Sequence, residues 1–268
     1  MKISHIISIC LAIAVLSFSI SLAVIKSSRD FRQIQKEGVL RIIVEENSMS
    51  FVIKNDSSIT GLQYKMIKKF ASDFNLKLEF IHETNLDSAI KMLQNEDVDI
   101  LVWHIPVHNE MRDRVDFSIP VFKGRQILVQ RKMPSNGEKQ TIRNQLNLAK
   151  KTIYIPLNSP YKQRINNLAK EIGDTIHIQE IKDVTPKDLF KMIDEGKIDF
   201  TVCDESVAEI EKRHFPNLDI QTAISFTQNY SWGLRKSSPV LKNTLNEWLR
   251  TYLDSEEYNT IHKKYTEN

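Results

Sequence analysis

The apolar positions of this chain follow two regimes. From Ile6 to Ile25 they run almost unbroken, interrupted only by serines and Cys10. From about Glu37 they come in short pieces that switch between two spacings, the signature of alternating strands and amphipathic helices. Leu40 to Val44 reads as a strand. Thr60 and Gln63 have capping-box spacing, and the helix they predict carries Leu62, Met66, Ile67, Phe70 and Phe74 on one side. Leu76 to Phe80 alternates as a strand, Leu86, Ala89, Ile90 and Leu93 mark the next helix, and Val98 to Trp103 the next strand.

The second half repeats this grammar. Thr152 to Ile155 predicts a strand, and Ser159-Pro160 an N-cap with proline at the first helical position. Tyr161, Ile165, Leu168 and Ala169 fit the helix that follows. Ile176, Ile178 and Ile181 alternate as a strand, Thr185-Pro186 with Asp188 opens another helix that Gly196 ends, and Ile198 to Cys203 is the next strand. The halves also share letters. Lys91-Met92-Leu93 leads to Val98-Asp99-Ile100, and Lys191-Met192-Ile193 leads to Ile198-Asp199-Phe200, at an offset of 100 residues. Two α/β lobes built from the same units are expected. In open α/β sheets ligands bind beyond the carboxyl ends of the strands. Those ends carry Glu45 to Ser48 and Trp103-His104 in one half, and Asn158-Ser159 and Asp204-Glu205 in the other.

Composition removes several classes of function. The 268 residues carry a net charge of +3 with no basic block, so nucleic-acid binding is not expected. Two cysteines, one of them inside the apolar run, make a structural disulfide or a cysteine-based zinc site unexpected. His104 and His108 are separated by Pro106 and have no third ligand beside them, so no metal and no cofactor is expected. No phosphate loop, nucleophile elbow or HExxH motif is present. The apolar run is long enough to cross a bilayer and also reads as a signal peptide, with Ser21-Leu22-Ala23 as a cleavage site and Lys26, Arg29 and Arg32 behind it. Residues 1–30 are therefore assigned to a signal peptide or membrane anchor, and the rest to the periplasm or the outer face of the cytoplasmic membrane.

Several stretches carry a resemblance. Gly38-Val39-Leu40-Arg41, Thr60-Gly61-Leu62-Gln63-Tyr64, Val115-Asp116-Phe117-Ser118-Ile119-Pro120, Ile198-Asp199-Phe200-Thr201-Val202-Cys203-Asp204-Glu205 and Trp232-Gly233-Leu234-Arg235-Lys236 occur in order. Together they resemble family 3 of the bacterial extracellular solute-binding proteins, the amino-acid-binding type, in the version that forms the N-terminal region of membrane-bound lytic transglycosylase F. The resemblance implies an α/β, two-lobed periplasmic-binding-protein-like (type II) fold with two crossover strands. Lobe 1 would comprise residues 37–128 and 226–268, and lobe 2 residues 132–222. The crossovers would be Gln126–Arg131 and the region Ile224–Thr227.

The resemblance also implies site residues. Asp204 matches the acid that holds a ligand's ammonium, and Glu45 matches a second acid after the first strand. The carboxylate-clamping arginine is displaced: Met111 stands in its place, with Arg112 adjoining, and Pro106 stands where the family has threonine. The full candidate set is Glu45, Ser48, Phe51, Trp103, His104, Arg112, Asn158, Ser159 and Asp204. Asp204 and Ser159 read equally as helix caps, Phe51 and Trp103 as core, and Arg112 as a surface residue. The function implied is a monomeric binding protein that takes a small polar ligand, amino-acid-like or a peptide or muropeptide fragment, to an ABC-type permease. The alternative is a membrane-tethered sensor or regulatory subunit working with a separate cell-wall hydrolase. A transglycosylase domain would have to follow this region, so no catalytic residue is expected within it.

Overall fold

The structure, a computed structural model, describes residues 28–53, 58–107, 109–133 and 141–266. The side chains of His104 and Pro106 lie outside this description, as do His108 and the whole apolar run.

Among the described residues two mixed sheets form the body of the molecule, beside a short antiparallel pair of β2 (Val52–Ile53) and β3 (Ile59–Thr60). The first takes strands β1 (Val39–Val44), β4 (Lys77–His82), β5 (Ile100–Pro106), β6 (Asp116–Phe117) and β13 (Gln228–Leu234), in the order β4-β1-β5-β13-β6, with β7 (Phe122–Gly124) also paired to β13. The second takes β8 (Gln126–Arg131), β9 (Thr152–Pro156), β10 (His177–Ile181), β11 (Phe200–Asp204) and β12 (Leu218–Ala223), in the order β10-β9-β11-β8-β12. In each sheet the strand–helix–strand units are parallel; β13 runs antiparallel to β5 in the first, and β8 runs antiparallel to both β11 and β12 in the second. This is the two-lobed fold the sequence implies.

The connecting helices follow their apolar spacing. In lobe 1, α1 (Phe31–Glu37) precedes β1, α2 (Leu62–Asp73) follows it, α3 (Leu86–Gln94) links β4 to β5, and α4 (Asn109–Arg114) follows β5. In lobe 2, α5 (Tyr161–Ile172), α6 (Pro186–Asp194) and α7 (Glu205–Glu211) follow β9, β10 and β11, while α8 (Pro239–Leu253) and α9 (Glu256–Thr266) return to lobe 1. Thr185 and Asp188 form the expected capping box on α6.

Two expected caps form differently. Gly61, not Thr60, precedes α2, at φ 128 and so close to Ser50 that a Cβ would meet its carbonyl oxygen at 2.2 Å. That close turn redirects both box residues. Gln63 is buried, donating to the Ser50 hydroxyl at 2.7 Å and accepting from the Trp232 indole at 2.6 Å. The Thr60 hydroxyl lies 2.7 Å from the Tyr265 hydroxyl of α9 instead. At α5 the residue in the N-cap position is Pro160, and the Ser159 hydroxyl makes no cap bond.

The first crossover also lies elsewhere. Gln126–Arg131, expected as a linking strand, is an interior strand of the second sheet, paired on both sides by β11 and β12. The chain passes between lobes at Arg125, one residue after β7, and returns through 224–227, between β12 and β13. The two passages are tied together: the Gln126 amide donates to the Ser225 hydroxyl at 2.8 Å, and the Ile224 amide to the Gln126 carbonyl at 2.9 Å. A pair of short adjacent connections is what a hinge between two rigid bodies needs. Small-angle scattering is expected to show a smaller radius of gyration at ligand saturation, and an unchanged radius would argue against bending here.

Candidate functional site

The carboxyl ends of the two sheets meet at Asp204. It ends β11 in the N-cap position of α7, yet its side chain makes no cap bond. It is 2% exposed. Its carboxylate accepts from the Tyr230 hydroxyl at 2.6 Å, and the Tyr161 hydroxyl lies 3.4 Å from its other oxygen. Tyr230 belongs to β13 of lobe 1, so the shorter of these bonds crosses from lobe to lobe. The Tyr230 hydroxyl in turn accepts from the Gln228 amide at 3.0 Å. Burial and the charge of Asp204 push both phenols well above the ordinary tyrosine range, so they act as neutral donors.

Glu45 approaches the same point from lobe 1. It follows Val44, the last residue of β1, which pairs with Val102 of β5, and accepts from the Asn47 side-chain amide at 3.3 Å. Burial, and then the charge of Asp204 across the cleft, push its carboxyl from the usual range up to about 8. Two facing carboxylates in a water-poor space favour a proton or a cation between them.

Other polar groups at these strand ends have no partner. The Ser48 hydroxyl, the Trp103 indole N–H and the Ser159 hydroxyl are buried and unpaired among the described residues. Buried donors are normally satisfied; of these three, Ser159 lines the interlobe cavity, Ser48 lines a separate one, and Trp103 packs in the lobe 1 core. Asn158 sits beside Ser159 at φ 54, with its amide donating to Glu180 at 2.8 Å. Asn158 and Ser159 line an interlobe cavity of about 420 Å³, with Leu86, Ile105, Met111 and Arg114 from lobe 1 among the residues opposite.

The remaining candidates are distributed differently. Phe51 is core, edge-on to Tyr64 at 5.4 Å. The Trp103 ring packs in the lobe 1 core, with only its N–H unsatisfied. The His104 side chain lies outside the described residues. Arg112 is exposed. One helical turn explains this: residues three apart share a face, so buried Met111 shares the cleft side of α4 with Arg114, and Arg112 turns away. Arg114 pairs with Asp87 at 2.6 Å at the rim. Arg112→Met is therefore expected to leave ligand affinity within about twofold, as for other surface substitutions, and calorimetry on the variant checks it.

Tyr161 and Tyr230 meet Asp204, and Asn47 meets Glu45; none of the three is among the candidates the sequence offers. Tyr161 reads as part of the apolar face of α5, which it also is, being 3% exposed. Cys203 is buried and its thiol is pushed well up by burial, as a core cysteine's is. Among the described residues no group of three or more His, Cys, Asp or Glu could hold a metal, and no helix is long and apolar enough to cross a membrane.

Two lobes, two adjacent crossovers and a cavity between facing strand ends are the architecture of the two-lobed periplasmic-binding-protein fold. Residues 40–155 match the bacterial extracellular solute-binding proteins, family 3. Among curated proteins the chain is similar to the membrane-bound lytic murein transglycosylase F of Desulfosudis oleivorans, at 24% identity over 90% of this chain and 51% of that one. The same-named protein of Ectopseudomonas mendocina is 27% identical over 75% of this chain and 40% of its own length. The chain spans about half the length of the curated relatives it matches. Among solved structures it resembles an ancestral arginine-binding protein bound to arginine, with a TM-score of 0.74 at 23% identity, covering 85% of this chain and 98% of that one. It also resembles a binding component of an ABC transporter from Wolinella succinogenes complexed with lysine, with a TM-score of 0.74 at 18% identity over 86% and 97%.

Proposed function

We propose that this chain is an extracytoplasmic solute-binding module that closes its lobes on a small polar ligand carrying a cationic group, and performs no chemistry on it. The observation that carries this reading is buried Asp204, held across the lobes by the Tyr230 hydroxyl, with the partly buried Glu45 carboxyl of lobe 1 near enough to feel its charge. A ligand cation between them would neutralise both and tie the lobes together, so binding and closure are one event. The neighbouring phenols and the unpaired Ser159 hydroxyl, which lines the interlobe cavity, offer orientation. Arginine- and lysine-bound proteins of the same fold make an amine or guanidinium a reasonable first guess at the ligand. A ligand carboxylate would meet Ser159 and Arg114 rather than an arginine at the Met111 position.

A thermal-shift screen against amino acids, simple amines, short peptides and muropeptides tests the reading. A true ligand at a hundred times its dissociation constant stabilises by about 2.7 kcal/mol. Stabilisation by neutral or anionic compounds only, and never by a cation, would overturn it.

Two roles fit such a module. Delivery to an ABC-type permease is one. A membrane-tethered regulatory subunit working with a cell-wall hydrolase is the other, supported by the names of the curated relatives and by the way the chain's N-terminal end is fastened.

A further inference from the structure

The first described residues, Ser28 to Asp30, follow the apolar run after only Lys26 and Ser27. They do not trail away from lobe 1. The Arg29 guanidinium is buried, donating to Asp99 at 2.9 Å, to the Val39 carbonyl at 3.0 Å and to Glu37. Asp99 is fully buried and is also met by Arg235 at 3.2 Å. The Arg29 carbonyl accepts from Arg235 at 2.5 Å and from Ser238 at 3.1 Å, and the Ser28 hydroxyl donates to the Ser237 carbonyl at 2.7 Å. Asp30 caps two helices at once. It accepts from the Phe31 amide of α1 at 2.7 Å, and from the Val240 and Leu241 amides of α8 at 3.0 and 2.8 Å. Ser238, in the N-cap position of α8, makes no cap bond of its own. Phe31 then packs edge-on against Phe74 at 5.2 Å.

The place of this clamp matters as much as its strength. Val39 begins β1, Asp99 precedes β5, and Arg235 follows β13, which runs antiparallel to β5. All three mark the pole of lobe 1 opposite the cleft. The six steps from Val39 to Glu45 separate clamp and acid pair by about 20 Å. Only Lys26 and Ser27 separate the run from Ser28, and no two residues reach further than about 7 Å.

We propose that the module is mounted on the membrane through this pole, with lobe 1 as a fixed base, lobe 2 as the free arm, and the cleft held away from the bilayer on the far side of lobe 1. The apolar run Ile6–Ile25 is the occupant of the bilayer, and the clamp passes its orientation rigidly to the first sheet. Ligand closure then moves lobe 2 over a stationary lobe 1. A cleft held this way is read from the aqueous side, by a partner that senses where lobe 2 stands. It is not pressed against a pore in the same bilayer. This inference rests on the tethered reading above, and not on the ligand's identity or its cation.

The experiment uses the full chain, expressed with its N-terminal run and reconstituted in vesicles of phosphatidylethanolamine and phosphatidylglycerol. Cys10→Ser is combined either with Lys236→Cys, at the clamp pole, or with Lys151→Cys, before β9 at the far pole of lobe 2. A donor dye is attached to each, and energy transfer to an acceptor lipid is measured. Transfer several-fold greater at position 236 than at 151 is expected. A flexible twenty-residue insert between Ser27 and Ser28 leaves every clamp bond intact and should remove most of that difference. Equal transfer from both positions in the uninserted chain overturns the proposal. So does mass spectrometry of the protein from its native membrane showing a mature N-terminus after residue 20. Loss of the difference in Arg29→Ala, with the far-ultraviolet circular dichroism spectrum unchanged, would show that the clamp itself sets the orientation. Retention of the full difference in both that variant and the insert would overturn its role.

Discussion

Asp204→Asn is expected to weaken ligand binding by about thirtyfold or more while leaving the fold intact, the cost of about 2 kcal/mol or above that follows from removing one charge of a buried pair. The substitution isolates charge from shape. The side chain that replaces the carboxylate keeps one oxygen, which can still accept from the Tyr230 hydroxyl now 2.6 Å away, so the cross-lobe hydrogen bond survives. Helix α7 loses nothing, because Asp204 makes no side-chain cap bond to it. What disappears is the negative charge facing Glu45. Asp204→Ala makes the comparison sharper, since it also strands two phenol donors in a buried site, and each unsatisfied donor costs about 1–3 kcal/mol. The asparagine variant should melt near the wild-type temperature and the alanine variant below it. Isothermal titration with the ligand found by screening reads the affinity. Equal affinity in wild type and Asp204→Asn would mean that the acid is structural and that the cation does not sit there.

The fold was more legible in the sequence than the site, for a physical reason. Strands and helices are set by periodic burial, and Leu40 to Val44, Leu86 to Leu93 and Ile198 to Cys203 express it in consecutive letters. The repeat at an offset of 100 residues expressed the second lobe. Local signals failed where tertiary partners outbid them. Gln63 left its expected cap because the Trp232 indole and the Ser50 hydroxyl, 169 and 13 residues away, offered buried bonds. Ser238 yielded the α8 cap to Asp30, 211 residues distant from Leu241. The crossover was misplaced because a linking strand and an interior sheet strand have the same apolar letters, and only the pairing of β8 with both β11 and β12 tells them apart. In the cleft, acids at strand ends could be named from their position alone. Tyr161 and Tyr230 could not, since a buried tyrosine looks like any apolar residue until the partner of its hydroxyl is known. Arg114 required knowing the phase of a helix six residues long.

The affinity for a cationic ligand is expected to rise with pH between 5 and 8, by at most about tenfold per pH unit in proportion to the share of ligand-free protein that is closed, and then level off, with up to one proton released on binding at neutral pH. The cause is Glu45, whose carboxyl is held at about 8 in the closed lobes by burial and by Asp204, against 4.5 when solvated. A cation needs the ionised form, so below pH 8 it binds only by displacing a proton. The same group sets the sign for the ligand-free protein. In the unfolded chain Glu45 ionises near 4.5, whereas in the closed fold it stays protonated to about 8. Between those values the native state binds the extra proton, so stability is greatest below 4.5 and falls as pH rises, by about 1.4 kcal/mol per unit at most. Lobe opening hydrates Glu45 and relieves this penalty, so part of the loss should appear as a wider radius of gyration at pH 8 than at pH 5. The groups facing Glu45 are Asp204 and Tyr161, with Asn47 as its hydrogen-bond donor. Glu45→Gln keeps the amide contact and the volume while removing the titration, and it separates this carboxyl from every histidine in the chain. In that variant the pH slope of affinity should flatten. Proton release, read from calorimetric enthalpies in buffers of different ionisation heat, should vanish. A slope and a proton count equal to wild type in Glu45→Gln would assign the linkage to another group and remove Glu45 from the cation site.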